Sequence, residues 1–247
     1  MTKNVLILGA TSCIAEHYAR RCAARGESLF LVGRNKEKLK VIKKDLEIRG
    51  AKRVELFFLD FNDTKAILKM VNAAWTQFKH FDIGLIAHGT LTEQLKFETD
   101  FNYLISEFRN NAESVIVLIS ILSQSFLKQK KGTIAVIGSV AGDRGRASNC
   151  SYASAKSAIE TFMSGMRMKY FKNNLNYLLI KPGFVKTPMT AHLSLPSILA
   201  ASPEKIAKDI DRAILNKKDC IYTPWFWVYI IFFIKHIPNF IFKRLYL

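Results

Sequence analysis

The sequence predicts an α/β protein: a doubly wound parallel sheet of about seven strands with helices on both faces, followed by a hydrophobic C-terminal helical tail. Two observations carry that reading. Apolar runs near 3–9, 28–33, 53–59, 81–87, 132–138, 176–181 and 219–223 alternate with helical stretches. Unbroken apolar strands separated by helices belong to a parallel sheet covered on both sides. The 247 residues are long enough for one large core. No Pro/Ser-rich linker, repeat or low-complexity tract interrupts them. The division expected is a main domain over 1–223 and a tail over 224–247.

The first strand opens at Lys3 and runs into Gly9, Ala10, Thr11, Ser12, Cys13, Ile14 and Ala15. Ile14, Tyr18, Ala19 and Cys22 then keep helical spacing. Strand, tight turn and helix in that order aim backbone N–H groups and a helix N-terminus at an anion, the usual cradle for a dinucleotide pyrophosphate. Gly9 is the only glycine of that loop. Cys13 and Ala15 take the other usual glycine places and are small enough for close approach. A plain βα turn would read the same way.

The second strand, Ser28–Val32, is followed by Gly33, Arg34 and Asn35. A site for NAD places a carboxylate there, against the ribose 2′-hydroxyl. Here the residue is an arginine, whose forked guanidinium suits a 2′-phosphate. The expected cofactor is NADP(H). Farther on, two long helices are expected, over 100–129 and 151–173. The second carries Tyr152 and Lys156, one turn apart and therefore on one face. Ser139 lies thirteen residues before the tyrosine. A fixed ammonium favours the ionised phenol, so Lys156 is expected to lower the pKa of Tyr152 and fit it for proton transfer near neutral pH.

Together these residues resemble the short-chain dehydrogenase/reductase family, over roughly residues 3 to 190. The matching pieces are the Gly9–Ala15 loop, Gly33-Arg34, Asp60-Phe61, Ala87-His88-Gly89, Asn111, Ser139, Tyr152 with Lys156, and the Pro182–Pro188 segment. The resemblance implies a Rossmann-type fold and a catalytic set of Asn111, Ser139, Tyr152 and Lys156. It implies cofactor contacts from Gly9, Thr11, Ser12, Cys13, Ile14, Arg34, Asp60, Phe61, Ala87, His88, Gly89, Tyr152, Lys156, Pro182, Gly183, Val185 and Thr187. Asp60 is implied beside the adenine and Thr187 beside the nicotinamide amide. The family's Asn-Asn-Ala-Gly segment reads Ile86-Ala87-His88-Gly89 here, a departure that bears on cofactor geometry.

The chain carries 37 Lys and Arg against 20 Asp and Glu, a formal charge of +17. Such a field favours anionic partners. Much of the excess, including Lys36, Lys38, Lys40, Lys43 and Lys44, reads as solvated helix surface. No nucleic-acid motif is present, so none is expected as partner. Cys13, Cys22, Cys150 and Cys220 show no metal or redox spacing and read as reduced thiols of a cytoplasmic protein without a secretory leader. The histidines (His17, His80, His88, His192, His236) are scattered, and no metal site is expected.

Residues 224–247 hold Trp225, Trp227 and five phenylalanines, no acid, and the bases Lys235, Lys243 and Arg244. The apolar stretch from Trp225 to Ile234 is shorter than the ~20 residues a membrane-spanning helix needs. Aromatic residues flanked by lysine and arginine suit the membrane interface. The expectation is one or two short helices, broken at Pro238, beside the active-site opening and on the inner face of a membrane. An oligomer interface or a flap over the substrate is the alternative, and a homo-oligomer is expected. The Gly-Ala-Thr-Ser loop, the Tyr222-Thr223-Pro224-Trp225 segment and the tail look like the branch of the family that contains decaprenylphosphoryl-2-keto-ribose reductase. That resemblance implies a keto-sugar carried on a polyprenyl phosphate.

Three functions stand. One is an NADPH-dependent ketoreductase acting on a lipid-linked keto substrate. Another is a reductase of a small soluble or acyl-chain ketone whose tail serves assembly. The last is a non-catalytic nucleotide-binding regulator on the same fold. Substrate choice is expected to reside in the 88–99 and 188–202 loops.

Overall fold

A computed structural model describes residues 2–191 and 198–245. Part of the 188–202 loop, His192, and the last two residues of the tail lie outside the described residues. The predicted sheet is present. Its strands are β1 (Asn4–Leu8), β2 (Ser28–Gly33), β3 (Arg53–Phe58), β4 (Ile83–Ile86), β5 (Gly132–Ile137), β6 (Leu175–Pro182) and β9 (Cys220–Thr223). They pair in the order β3-β2-β1-β4-β5-β6-β9, all parallel. A second, two-stranded sheet pairs β7 (Phe184–Val185) with β8 (Ala200–Ala201).

Side chains alternate across the central strands and feed two cores. Val5, Ile7, Leu29 and Leu31 face one core with α1 (Cys13–Ala24), α2 (Lys36–Ile48) and α8 (Pro203–Leu215). Leu6, Leu8, Phe30 and Val32 face the other with α3 (Thr64–Phe78), α6 (Ser114–Gln129) and α7 (Cys150–Lys169). Strand order reverses between β1 and β4, and the crevice outside the carboxyl ends of these strands is where such sheets bind ligands.

The helix expected over 100–129 is not uniform. It runs as α5 (Phe101–Phe108), a π-helical turn at Arg109–Glu113, and α6, with the short α4 (Gln94–Thr99) before it. The wide turn carries Asn111, which is fully buried. An inserted residue of this kind re-aims side chains and is frequent at functional sites. Sequence periodicity reads through such a turn because the apolar stripe resumes on either side. α7 also ends earlier than expected, at Lys169.

The tail folds as α9 (Trp227–His236) and α10 (Asn239–Phe242), on either side of Pro238. Proline lacks a backbone donor and ends the first helix as expected. Trp227 and Ile231 are buried against Val140, with Phe184, Leu199 and Tyr222 packed around them. The opposite face leaves Trp225, Val228, Tyr229, Phe232, Phe233, Phe240 and Ile241 exposed. Among the described residues no helix is long and apolar enough to cross a membrane.

One charged group is buried deep in this architecture. Lys181 on β6 is 2% exposed and bonds Asp143 (2.9 Å), Glu160 (2.5 Å) and the Tyr222 hydroxyl (3.3 Å). Burial pulls the lysine pKa down, and the hydrogen bonds it donates to Glu160 and Asp143 overcome that and hold it above its ordinary value. A buried ammonium is tolerable only with such partners.

Candidate active site

The carboxyl ends of β1, β4, β5 and β6 surround a cavity of about 250 Å³. The turn after β1 and the start of α1 contribute Thr11, Ser12, Cys13 and Ile14, and the segment after β4 contributes Ala87, His88 and Gly89. Asn111 enters from the π turn, Ser139 from the end of β5, and Tyr152 and Lys156 from α7. Pro182, Gly183, Val185 and Thr187 close the far wall. Residues predicted from six separate stretches of chain therefore meet in one place. A larger depression, about 790 Å³, lies over the outer side of α7 and contains none of them.

Gly9 lies behind the cavity. Its φ is +83°, and a Cβ there would run into the backbone of His88. Glycine alone takes that conformation readily, and the first turn can thus press against the end of β4. The N-cap Ser12 makes no side-chain cap bond. The N–H groups of the first turn of α1 consequently face the cleft without an intrahelical partner. This donor set, at a positive helix end, fits a dinucleotide pyrophosphate. Cys13 is the first helical residue; burial comes first among the causes that raise its thiol pKa.

Arg34, Asp60 and Phe61 do not line the cavity. Arg34 is exposed beyond β2, near enough for its charge to act on His88. Asp60 is exposed and accepts from the N–H of Asn62 (3.1 Å). Phe61 is buried and stacks on the His88 ring, with centroids 4.2 Å apart. His88 shares a 2.8 Å hydrogen bond from Nε2 with Ser114, while its buried Nδ1 has no partner among the described residues. Burial, then Lys156 and Arg34, push its pKa down to about 3, so the imidazole is neutral. The departure at this position from the family pattern thus installs a neutral, stacked ring in the cofactor cleft.

Asn111 braces the turn after β4. Its Oδ1 accepts from the Thr90 N–H (2.9 Å), and its Nδ2 donates to Thr90 Oγ1 (3.1 Å) and Glu107 Oε2 (3.4 Å). Asn110 also reaches Thr90, but from outside the cavity lining. Lys156 is 4% exposed and donates to the Ile137 carbonyl (3.3 Å). The turn after Ser139 packs directly on this part of α7: a Cβ at Gly142 would come within 2.8 Å of the Lys156 backbone. That close approach fixes Ser139 against Tyr152, whose hydroxyl shares a hydrogen bond with it.

The expected acidification of Tyr152 is corrected. Burial raises its pKa to about 12, and the hydrogen bond with Ser139 opposes this without reversing it. The Lys156 ammonium sits 5.5 Å from the ring centroid. Burial also lowers the Lys156 pKa to about 8. Desolvation is the leading cause of both shifts, since each group is buried in the same wall. The arrangement still holds a proton on a phenol between a hydroxyl and an ammonium, which is what a proton donor to a bound carbonyl needs.

Sequence reasoning passed over Lys38, Thr90, Glu107 and Thr190. Lys38 belongs to a run read as solvated surface, yet its Nζ donates to the Thr11 carbonyl (2.9 Å) and lines the cavity mouth. Thr190 bonds the Val185 carbonyl (2.6 Å) and holds the turn that carries Thr187.

The buried Lys156 implies a stability cost with a defined pH dependence. Its folded pKa lies below its unfolded value, so the unfolded chain binds the extra proton between about pH 8 and 10.5. Stability rises with pH through that window. Lys156→Met is therefore expected to stabilise the fold at pH 7 by up to about 3 kcal/mol, the shift converted at 1.36 kcal/mol per unit. The gain should shrink as pH climbs from 8 to 10.5. Thermal or urea unfolding of both chains across pH 6–10.5 checks this; a pH-independent difference would contradict the assignment.

Comparison with known proteins agrees with this geometry. A family model described as short chain dehydrogenase matches residues 3–196. An uncharacterized oxidoreductase of Mycobacterium tuberculosis is 29% identical over 241 residues, 98% of this chain and 96% of its own. Among solved structures, a variant of actinorhodin polyketide ketoreductase with NADPH superposes with a TM-score of 0.80 at 18% identity. It covers 90% of this chain and 95% of its own. A short-chain type dehydrogenase/reductase from Mycobacterium ulcerans gives 0.81 at 17% identity, over 89% and 87%. With the fold, the cavity and the family match in agreement, the chain belongs to the short-chain dehydrogenase/reductase family of oxidoreductases.

Proposed function

We propose that the protein is an NADPH-dependent ketoreductase that forms a secondary alcohol, with Tyr152 as proton donor. The observation that carries this reading is the meeting of Ser139, Tyr152 and Lys156 in one cavity beside the uncapped start of α1. NADPH, when bound, supplies the hydride. The Ser139 hydroxyl holds the ketone oxygen beside Tyr152. Tyr152, with its pKa raised to about 12, keeps its proton until negative charge builds on that oxygen, and then transfers it. Lys156 holds positive charge at the same spot and binds the ribose. Asn111 keeps the Gly89–Thr90 turn in place and supports the route by which the proton is replaced. Tyr152→Phe is expected to lower turnover about a hundred- to ten-thousandfold, the usual contribution of a positioned general acid. NADPH binding should stay within a few-fold. Near-normal turnover in that variant would refute the assignment.

The preference for NADPH rests on Arg34, on Lys38 over the first loop, and on the lack of a carboxylate directly after β2. The polyketide ketoreductase of similar fold was solved with NADPH, which supports the same choice. Because Arg34 is exposed, its phosphate contact is screened, and about tenfold discrimination is expected at low salt. Arg34→Ala should remove most of it, as read by titration with NADPH and NADH. Equal affinities in the unsubstituted chain would overturn the choice of cofactor.

We further read the outer face of α9 and α10 as a membrane-docking surface and the substrate as a ketone carried on an anionic lipid, such as a polyprenyl-phosphate keto-sugar. The exposed aromatic residues, the bases Lys235, Lys243 and Arg244, and the absence of acid after Asp219 support it. The protein would then work at the cytoplasmic face of a membrane. Each basic residue near an anionic surface contributes about 1 kcal/mol. Co-sedimentation with phosphatidylserine vesicles should therefore exceed that with phosphatidylcholine vesicles and weaken with salt. It should be lost in Phe232→Ser/Phe233→Ser. No difference between the two vesicle types would leave the tail without this role.

A further inference from the structure

The tail grips both walls of the cavity. On one side stands Arg144, five residues after Ser139. Its guanidinium donates to the carbonyls of Ile234 (2.5 Å), Lys235 (3.2 Å) and Ile237 (2.7 Å) and to Oδ1 of Asn239 (2.9 Å). It also lies 3.6 Å from the centroid of the Phe242 ring. One side chain thus caps the end of α9 and holds α10. Cations are favoured at that helix end, where carbonyls lack partners. The neighbouring Asp143 side chain is fully buried and meets Lys235 of α9 (3.4 Å) as well as Lys181.

On the other side stands Trp227, 3% exposed. Its indole lies against Gly183, where an added Cβ would run into Nε1 and Cε2 of the ring. Gly183 leads into β7 and, with Val185 and Thr187, forms the wall opposite Ser139. Val140, directly after Ser139, shares a buried cluster with Trp227 and Ile231. A single helix therefore touches the Ser139 turn and the Gly183 wall at once. Packed interiors transmit small displacements, since they have few voids to absorb them.

We propose that α9 is a positioning element of the active site: Trp227 sets the Gly183 wall, and Arg144 with Asp143 ties the Ser139 turn to the same helix. The inference rests on the reductase reading for its kinetic consequence, and on packing alone for its structural one. Moving α9 then alters turnover of any ketone, including one with no lipid. The tail is accordingly a functional part of the active site.

Gly183→Ala in the full-length chain tests this. The backbone at Gly183 is outside the left-handed region, so alanine is resisted there first by the indole, whose atoms lie nearest the added Cβ. The variant should lower kcat on a small water-soluble ketone about tenfold or more, as small misplacements of reacting groups do. It should also raise amide hydrogen exchange at 139–146 in the protein without cofactor. Adding Trp227→Leu to Gly183→Ala should recover part of both, whereas independent lesions would compound. Should Gly183→Ala not fold, Arg144→Lys, which keeps the charge and loses the fork, carries the same two measurements. Exchange at 139–146 unchanged in these variants overturns the proposal, as does a kcat within twofold of the unsubstituted chain. If the unsubstituted chain neither binds NADPH nor reduces any ketone, the reductase reading falls and the exchange measurement alone decides the role of α9.

Discussion

The seven strands of the main sheet all point the same way, and the remaining features of the molecule follow from that constraint. A parallel strand must be left by a crossover, so each strand-to-helix turn falls on one edge of the sheet. Gly9, Gly89, Ser139 and Gly183 all lie within three residues beyond the end of a strand. They come from four distant parts of the chain, yet the pairing of β1, β4, β5 and β6 brings them together without a dedicated contact between them. The tail is drawn in by the same geometry, since β9 pairs with β6 and ends beside Pro182.

Charge in this molecule is arranged by contrast. Lys181 and Lys156 are both buried, but carboxylates surround Lys181, whereas among the described residues Lys156 bonds a backbone carbonyl and no carboxylate. Their pKa values move in opposite directions for that reason. The first is a structural cation that joins β6 to the turn after Ser139. The second stands undercompensated beside a phenol that burial also holds in its neutral form. Groups whose protonation is disfavoured or favoured by surroundings in this way collect at functional sites. His88 adds a third dry polar group, stacked on Phe61 and kept neutral.

Much of this was legible in the amino-acid order. Apolar runs gave the strands to within one or two residues, because a strand buried on both faces needs continuous apolar sequence. Tyr152 and Lys156 were legible as a pair through spacing, since four residues is one helical turn, and Ser139 through the resemblance to the family. The rest failed for physical reasons. The π turn at Asn111 leaves no trace in periodicity. The pKa of Tyr152 depends on how much water its wall excludes, which spacing does not encode. Lys38 was hidden in a run of identical charges, of which one happens to lie over the first loop. The grip of Arg144 on α9 joins residues about ninety apart and depends on carbonyl positions that no side-chain pattern reveals.

The π turn at Arg109–Glu113 also limits how this chain can change length. It holds one residue more than a regular helix would, and that surplus keeps α5 and α6 in their present phase. A single-residue deletion between 109 and 113 would restore ordinary helical winding, with its hydrogen bonds intact. It would also rotate everything before it by about 100°, one residue's share of a 3.6-residue turn. The surface of α5 that bears Glu107 would swing away from Thr90, and the turn after β4 would lose its brace. A change that makes the helix more regular would therefore take the site apart, while an insertion at a surface loop such as that after α2 would leave it untouched.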